Sequence, residues 1–344
     1  MNTHHSKNQH LTTPEQLKQQ YPLDALLAQQ IASQRQTVEN ILSGKDKRLL
    51  VIVGPCSIHD PAAVLEYAQR LHQLQAHVAD ELFLVMRAYI EKPRTTVGWK
   101  GFLYDPDLND QANLQKGLAQ SRQLYLQLIQ LGLPLASEIL NPMVTGYFDD
   151  LLAWGAIGAR TSESQIHREI SSGLAFPVGF KNGTDGSVQI ALDAIQSAKN
   201  VHQFFGMSPS GLPAALCSQG NPHPHLILRG SNTGVNYDAS SIEMIKQKHL
   251  HCPALIVDCS HGNSQKNPLQ QQAVLGQIVA ELAQTQVKGV MIESHLVDGQ
   301  QKITSNMTYG QSVTDGCLGW EKTERLLRQA AQLLQQHKQL ALTA

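Results

Sequence analysis

Eight times along this chain a short apolar run stops at a polar or ionisable residue, and the stretches between the runs carry helical periodicity. The runs are 49–53, 82–86, 133–137, 156–159, 177–180, 226–228, 254–257 and 289–292. Continuous apolar runs of this length fit strands buried on both faces, as in a parallel sheet enclosed by helices. Eight of them alternating with helices predict a (β/α)8 TIM barrel. In that fold the residues just past the strand ends meet at one mouth. The first run shows the pattern most clearly. Leu49-Leu-Val-Ile-Val is halted by Gly54-Pro55, Cys56, Ser57 and His59 follow, and Asp60-Pro61 reads as the N-cap and first residue of a helix.

The remainder divides around that unit. Residues 1–48 form an N-terminal extension: a loose polar start with His4, His5 and His10, then Gln-rich short helices from Pro14 to Ser43. Residues 49–344 form the barrel, interrupted at about 202–218 by two apolar runs around Pro209-Ser-Gly, an inserted β-hairpin. Residues 88–112 make a long polar loop carrying Lys92, Arg94 and Lys100, and loops of that length in a compact domain tend to be functional. Pro142–Trp154 reads as helix, Thr161-Ser-Glu-Ser as a capping sequence, and the closing helix puts Leu326, Leu327, Ala330, Leu333 and Leu334 on one face.

Lys and Arg number 27 against 28 Asp and Glu, a formal charge of −1, which argues against nucleic-acid or anionic-membrane partners. No run of 18 apolar residues and no signal pattern occurs, so a cytoplasmic protein is expected. Five cysteines without framework spacing suit a reducing compartment.

The strand ends deliver Cys56, Arg87, Glu138, Arg160, Lys181, Arg229, His261 and Glu293. One strand-end charge alone is most often a solvated surface residue. Eight at one rim are better explained as a site. Arg87, Arg160, Lys181 and Arg229, with Lys92 and Arg94, are more cations than one phosphate needs, and they suit two anionic groups. Cys56, His261, Glu293 and the loop residue Asp315 form a mixed soft and hard donor set, fitting one divalent ion such as Mn, Fe, Co or Zn. A metal beside a phosphate-binding mouth implies aldol-type or phosphate-ester chemistry.

Five motifs are specific: Gly54-Pro-Cys-Ser-Ile-His-Asp60, Glu91-Lys-Pro-Arg-Thr-Thr-Val-Gly-Trp-Lys-Gly101, Gly158-Ala-Arg-Thr161, Pro177-Val-Gly-Phe-Lys-Asn-Gly-Thr-Asp-Gly186 and Asp258-Cys-Ser-His-Gly-Asn263. Together the chain closely resembles the feedback-regulated type I 3-deoxy-D-arabino-heptulosonate 7-phosphate (DAHP) synthases over nearly its whole length. The resemblance implies condensation of phosphoenolpyruvate with erythrose 4-phosphate, the entry step to aromatic amino acids. It implies phosphoenolpyruvate contacts at Arg87, Lys92, Arg160, Lys181 and Arg229, with Glu138 beside them. It also implies an erythrose 4-phosphate loop at Lys92, Pro93, Arg94 and Thr95. Cys56, His261, Glu293 and Asp315 match the metal ligands. Lys92, Cys56 and His261 are the catalytic set, with Lys92 as proton donor once neighbouring cations lower its pKa.

The extension and the hairpin would form an aromatic amino-acid effector site in a homodimer or homotetramer. The stretch from Phe205 to Pro222 looks closest to tyrosine-sensitive members, with phenylalanine or tryptophan as alternatives. Two differences stand out. Arg229-Gly-Ser-Asn-Thr-Gly-Val-Asn-Tyr lacks the second glycine and the proline of many relatives, and Ala175-Phe176 replaces a Ser-containing pair near the effector pocket. The rivals are the related eight-carbon sugar acid synthase, disfavoured by the Lys-Pro-Arg-Thr-Thr loop, and a non-catalytic phosphosugar-binding regulator, which has no use for the metal set.

Overall fold

The computed structural model describes residues 9–249 and 252–343; the expected loose start with His4 and His5 lies outside them. Two helices, α1 (Pro14–Gln20) and α2 (Ala25–Leu42), precede β1 (Leu49–Gly54). The chain then alternates through α3 (Pro61–Val78), β2 (Leu82–Arg87), α4 (Leu114–Gln130), β3 (Leu135–Glu138), α5 (Thr145–Phe148), β4 (Trp154–Ile157), α6 (Gln165–Ser172), β5 (Val178–Lys181) and α7 (Gln189–Ala198). An antiparallel hairpin of β6 (Gln203–Met207) and β7 (Pro213–Cys217) follows. The alternation resumes with β8 (His225–Leu228), α8 (Ala239–Lys248), β9 (Leu255–Asp258), α9 (Gln271–Ala280), α10 (Leu282–Thr285) and β10 (Gly289–Glu293). A small pair, β11 (Val297–Gln300) and β12 (Gln311–Ser312), leads to α11 (Trp320–Thr343).

Eight parallel strands close the barrel in the order β1-β10-β9-β8-β5-β4-β3-β2. This is the (β/α)8 fold expected from the sequence. Strand alternation divides the core in two. Leu49, Val51 and Val53 of β1 face outward onto Val64, Ala68 and Leu71 of α3, while Leu50 and Ile52 face the barrel interior. Asp60 caps α3 as its spacing predicts, its side chain accepting from Ala62 N at 2.9 Å, with Pro61 at the first helical position.

The extension does more than precede the barrel. Val38, Ile41 and Leu42 at the end of α2 join the interior cluster with Leu50, Ile52, Ala136 and Met291, closing the floor. α2 is one 18-residue helix, not the run of short ones its Gln-rich composition suggests. Further up, Arg35 reaches over the Phe176 ring, 5.4 Å from its centroid. α1 meets the hairpin turn, where Glu15 N donates to Pro209 O at 2.9 Å, and meets α5, where Tyr147 Oη donates to Thr12 O at 2.8 Å.

Four local expectations are corrected. The fourth strand spans Trp154–Ile157, two residues early, because Trp154 enters the interior and its indole N–H donates to His225 Nε2 at 3.0 Å. The helix expected over 142–154 therefore shrinks to Thr145–Phe148. The Thr161-Ser-Glu-Ser capping sequence does not cap: Thr161 and Ser162 hydroxyls both bond back to Gly158 O, and Ser164 pairs with His167. Short polar side chains that find a nearby backbone partner compete with the cap. Leu333 is turned out to solvent, unlike its neighbours Leu327 and Leu334.

Candidate active site

Each barrel strand ends at one mouth, and the residues past those ends line a cleft of about 560 Å³. It contains Cys56, Arg87, Lys92, Pro93, Arg94, Thr95, Glu138, Arg160, Lys181, Arg229, His261, Glu293 and Asp315. Every site residue expected from the sequence thus lies on its wall. Two glycines make the crowding feasible. Gly54, at φ +149°, passes Arg87 so closely that a Cβ would sit 3.0 Å from Arg87 O, and a Cβ at Gly158 would overlap Glu138 Oε1.

On one side of the cleft, ligand atoms of Cys56, Glu293 and Asp315 all lie within 4.8 Å of one another. Two are fully buried. Glu293 is held from both sides: Arg87 Nη2 donates to Oε1 at 3.2 Å and Ser260 Oγ to Oε2 at 2.9 Å. Its backbone is fixed as well, by a two-way bond with the Gln271 side chain at 2.8 and 3.0 Å. Lys92 stands against the group, its ammonium donating to Asp315 Oδ2 at 2.6 Å and to Cys56 Sγ at 3.0 Å. Burial, with Glu293 adding repulsion, pushes the Cys56 thiol up to about 11. The Lys92 ammonium only partly offsets this, and a metal ion bound at the sulfur is what would release that proton. A thiolate and two carboxylates that close together fit a divalent ion of the borderline type.

His261 is placed differently from these three. It stands at φ +55° just past β9, with Nδ1 2.9 Å from Asp258 Oδ2 but off the line needed for a hydrogen bond. The same Asp258 oxygen accepts from Lys181 Nζ at 2.7 Å. Although burial opposes it, His261 and Lys181 hold the Asp258 carboxyl well below the usual range. Asp258 therefore braces two site residues at once.

The other side of the cleft is cationic. Arg87 lies 4.1 Å over the Tyr89 ring and donates to Pro55 O and Cys56 O. Burial pulls its pKa down, but Tyr89 and Glu293 raise it further, so it stays charged. Arg229 is nearly buried, and its Nη1 has no hydrogen-bond partner. Burial lowers its pKa, Asp258 opposes this, and Arg160 adds to the lowering. A desolvated guanidinium N–H facing a cleft is a strong demand for an anion. Arg160 Nη1 donates to Thr95 Oγ1 at 3.0 Å, which joins the strand-end cations to the loop after β2.

Lys92 departs from expectation in one respect. Its neighbours are a thiol and two carboxylates, not cations, and against the effect of burial they raise its pKa. The loop after β8 also resolves without the second glycine and the proline: Ser231 Oγ accepts from the N–H groups of Thr233 and Gly234, and Asn236 Oδ1 accepts from Gly230 N at 2.7 Å. Asp258, Ser260, Tyr89 and Gln271 are the functional neighbours that sequence reasoning missed. For Asp258 a signal existed, since it ends a strand one turn before His261.

A family model described as the DAHP synthetase I family matches residues 17–328. The Tyr-sensitive phospho-2-dehydro-3-deoxyheptonate aldolase of Escherichia coli K12 is 48% identical over 339 residues, covering 96% of this chain and 95% of that protein. The Trp-sensitive enzyme of Enterobacter agglomerans is 46% identical, with 92% and 93% covered. The structure of phospho-2-dehydro-3-deoxyheptonate aldolase from Francisella tularensis SCHU S4 superposes with a TM-score of 0.93 at 43% identity, covering 96% of this chain and 98% of that one. With the family match running from α1 into α11, and the fold shared over nearly its whole length, this chain belongs to the DAHP synthetase I family.

Proposed function

We propose that this enzyme condenses phosphoenolpyruvate with D-erythrose 4-phosphate and water, yielding 3-deoxy-D-arabino-heptulosonate 7-phosphate and phosphate. The observation that carries the reading is the meeting, in one cleft, of the Cys56–Glu293–Asp315 donor group and the unpartnered Arg229 guanidinium. Neither a simple phosphosugar binder nor a metal store needs both.

In this reading Arg87, Arg160, Lys181 and Arg229 take the phosphate and carboxylate of phosphoenolpyruvate, with Lys92 and Glu138 at the edge. Lys92, Pro93, Arg94 and Thr95 hold erythrose 4-phosphate, and the Arg160–Thr95 bond keeps the two subsites in register. Cys56, Glu293 and Asp315, with His261 as the fourth donor, would hold one divalent ion, of Mn, Fe, Co or Zn, and that ion would supply Lewis-acid polarisation of the aldehyde. C3 of phosphoenolpyruvate attacks that aldehyde carbon, water adds at C2, and phosphate leaves. Lys92, whose ammonium stands beside the donor group, would supply the proton that turns the new alkoxide into a hydroxyl. A divalent charge at the donor group would offset much of the field that raises the Lys92 pKa and so ease its proton donation.

Regulation belongs to the same reading. The contacts of α1 with the hairpin turn and with α5 support an effector site there for an aromatic amino acid, tyrosine first, with phenylalanine or tryptophan as alternatives. Exposed Phe205 and Leu212 on the hairpin support a homodimer or homotetramer. Five free thiols support a cytoplasmic location. Among the described residues no helix is long and apolar enough to cross a membrane.

The product decides the reaction. Mass analysis should find a seven-carbon 3-deoxy acid phosphate from phosphoenolpyruvate plus erythrose 4-phosphate; an eight-carbon product, formed only with a five-carbon sugar phosphate, would move the assignment to the rival synthase. For regulation, removing residues 1–22 takes away α1 but leaves the α2 plug. Inhibition by the effective amino acid should fall by at least about tenfold in potency, and an unchanged response would place the effector elsewhere.

A further inference from the structure

Glu91 is 4% exposed and immediately precedes Lys92, yet takes no part in the chemistry above. Tyr104 Oη donates to its Oε1 and Asn141 N to its Oε2, each at 3.3 Å. Asn141 Nδ2 in turn donates to Tyr104 Oη at 2.9 Å. The three residues close a ring that ties the loop after β2 to the segment after β3. Glu91 and Asn141 of that ring line a small hollow with Tyr125, Ser137 and Phe148, and Glu138 lines both this hollow and the cleft.

The charged and titratable groups around Glu91 give its carboxylate no counter-ion. Glu138, at the end of β3, repels it. Tyr104 and Tyr125 are neutral phenols, the latter from α4. Lys100 lies over the Tyr104 ring, 5.9 Å from its centroid, and makes no ion pair with Glu91, and the Lys92 ammonium points away to Asp315. Burial pushes the carboxyl up to about 7, against the two hydrogen bonds that favour its charge.

The two protonation states require different partners. The carboxylate accepts both bonds. Once protonated, it presents a donor to a backbone N–H or a phenol that is already donating, so one bond of the ring is lost or reversed. The segment anchored there is short. Beyond Glu91 it is closed by Lys92 N donating to Lys100 O at 2.9 Å.

We propose that Glu91 is a positioning residue for the Lys92–Thr95 segment, pinning it through Tyr104 and Asn141 when ionised and releasing it when protonated. The proposal rests on reading that segment as the erythrose 4-phosphate subsite. Acid then weakens binding of the aldehyde substrate more than that of phosphoenolpyruvate, which shares only Lys92 and the Arg160–Thr95 bond with this segment and is otherwise held by Arg87, Lys181 and Arg229.

The test compares wild type with Glu91→Gln by steady-state kinetics between pH 6.0 and 8.5, taking the ratio of the two proteins so that the substrates' own ionisation cancels. For a single group ionising near 7, the wild-type KM for erythrose 4-phosphate should rise about eightfold relative to the variant from pH 7.5 to 6.0. The ratio for phosphoenolpyruvate should change clearly less, by about twofold at most. Parallel profiles for erythrose 4-phosphate would overturn the proposal. Amide exchange over residues 92–101, corrected for intrinsic rate, gives a readout without turnover. It should quicken at pH 6.0 in wild type but not in Glu91→Gln, and equal exchange at both pH values in wild type would overturn the proposal. Absent turnover with that exchange difference intact would count against the reaction and in favour of the pinning. Should Glu91→Gln not fold, Tyr104→Phe removes one donor and should move the wild-type inflection to higher pH; an unmoved inflection contradicts the ring.

Discussion

At the floor of the barrel Val38, Ile41 and Leu42 close the interior with side chains that carry no polar atom, whereas at the mouth Arg87, Lys181, Asp258 and Glu293 are comparably buried and all ionisable. The same strands run between the two ends. Burying an apolar side chain contributes roughly 1.5–3 kcal/mol. A buried ion pair contributes little net stability, because desolvation offsets the attraction. Arg87–Glu293 and Lys181–Asp258 are therefore better understood as fixing geometry than as holding the fold. Stability sits at the floor and chemistry at the mouth, as the barrel architecture allows.

Substitutions at the two ends should separate cleanly. The largest effect is expected for Cys56→Ala, which removes the thiol donor from the group with Glu293 and Asp315. Turnover should fall on the order of 10³-fold and bound metal should drop in elemental analysis, with the thermal midpoint nearly unmoved. Full activity in metal-limited buffer would break the division. Ile41→Ala, at the floor, should do the opposite. It should cost about 2–5 kcal/mol in denaturant unfolding and leave kcat within about twofold, and a large loss of kcat would show the floor to be coupled to the chemistry. Smaller still, Arg229→Ala should raise the KM for phosphoenolpyruvate about 30-fold, the value of a charge-assisted hydrogen bond. Arg229→Lys should restore only part of it, since a point charge lacks the fork. An unchanged KM in Arg229→Ala would remove this residue from the subsite.

The mouth was more legible in the sequence than the floor. Strands such as β1 and β10 announce themselves as apolar runs with an abrupt stop, so the identity of Cys56, Arg87 and Glu293 as strand-end residues follows from spacing alone. The plug at the floor is hidden, because α2 buries only part of one face and its Gln-rich remainder dilutes the periodicity. Trp154 looks in sequence like the end of a helix because its partner, His225, lies 71 residues away, a pairing that only the closed sheet reveals. Glu91 looks like any acidic loop residue until Tyr104 and Asn141 fold around it. Asp258 ends an apolar run and is legible to that extent, but its grip on both Lys181 and His261 depends on a residue 77 positions away that only the closed barrel brings near.

The measurement that tests the account most directly is phosphate release from phosphoenolpyruvate by the purified protein, with and without erythrose 4-phosphate, before and after treatment with a chelator. The account requires release only when both substrates are present, its loss on chelation, and its return with Mn, Fe, Co or Zn. Release that needs no aldehyde, or that survives complete removal of divalent ions, would contradict the joint role assigned to the cationic wall and the Cys56–Glu293–Asp315 group.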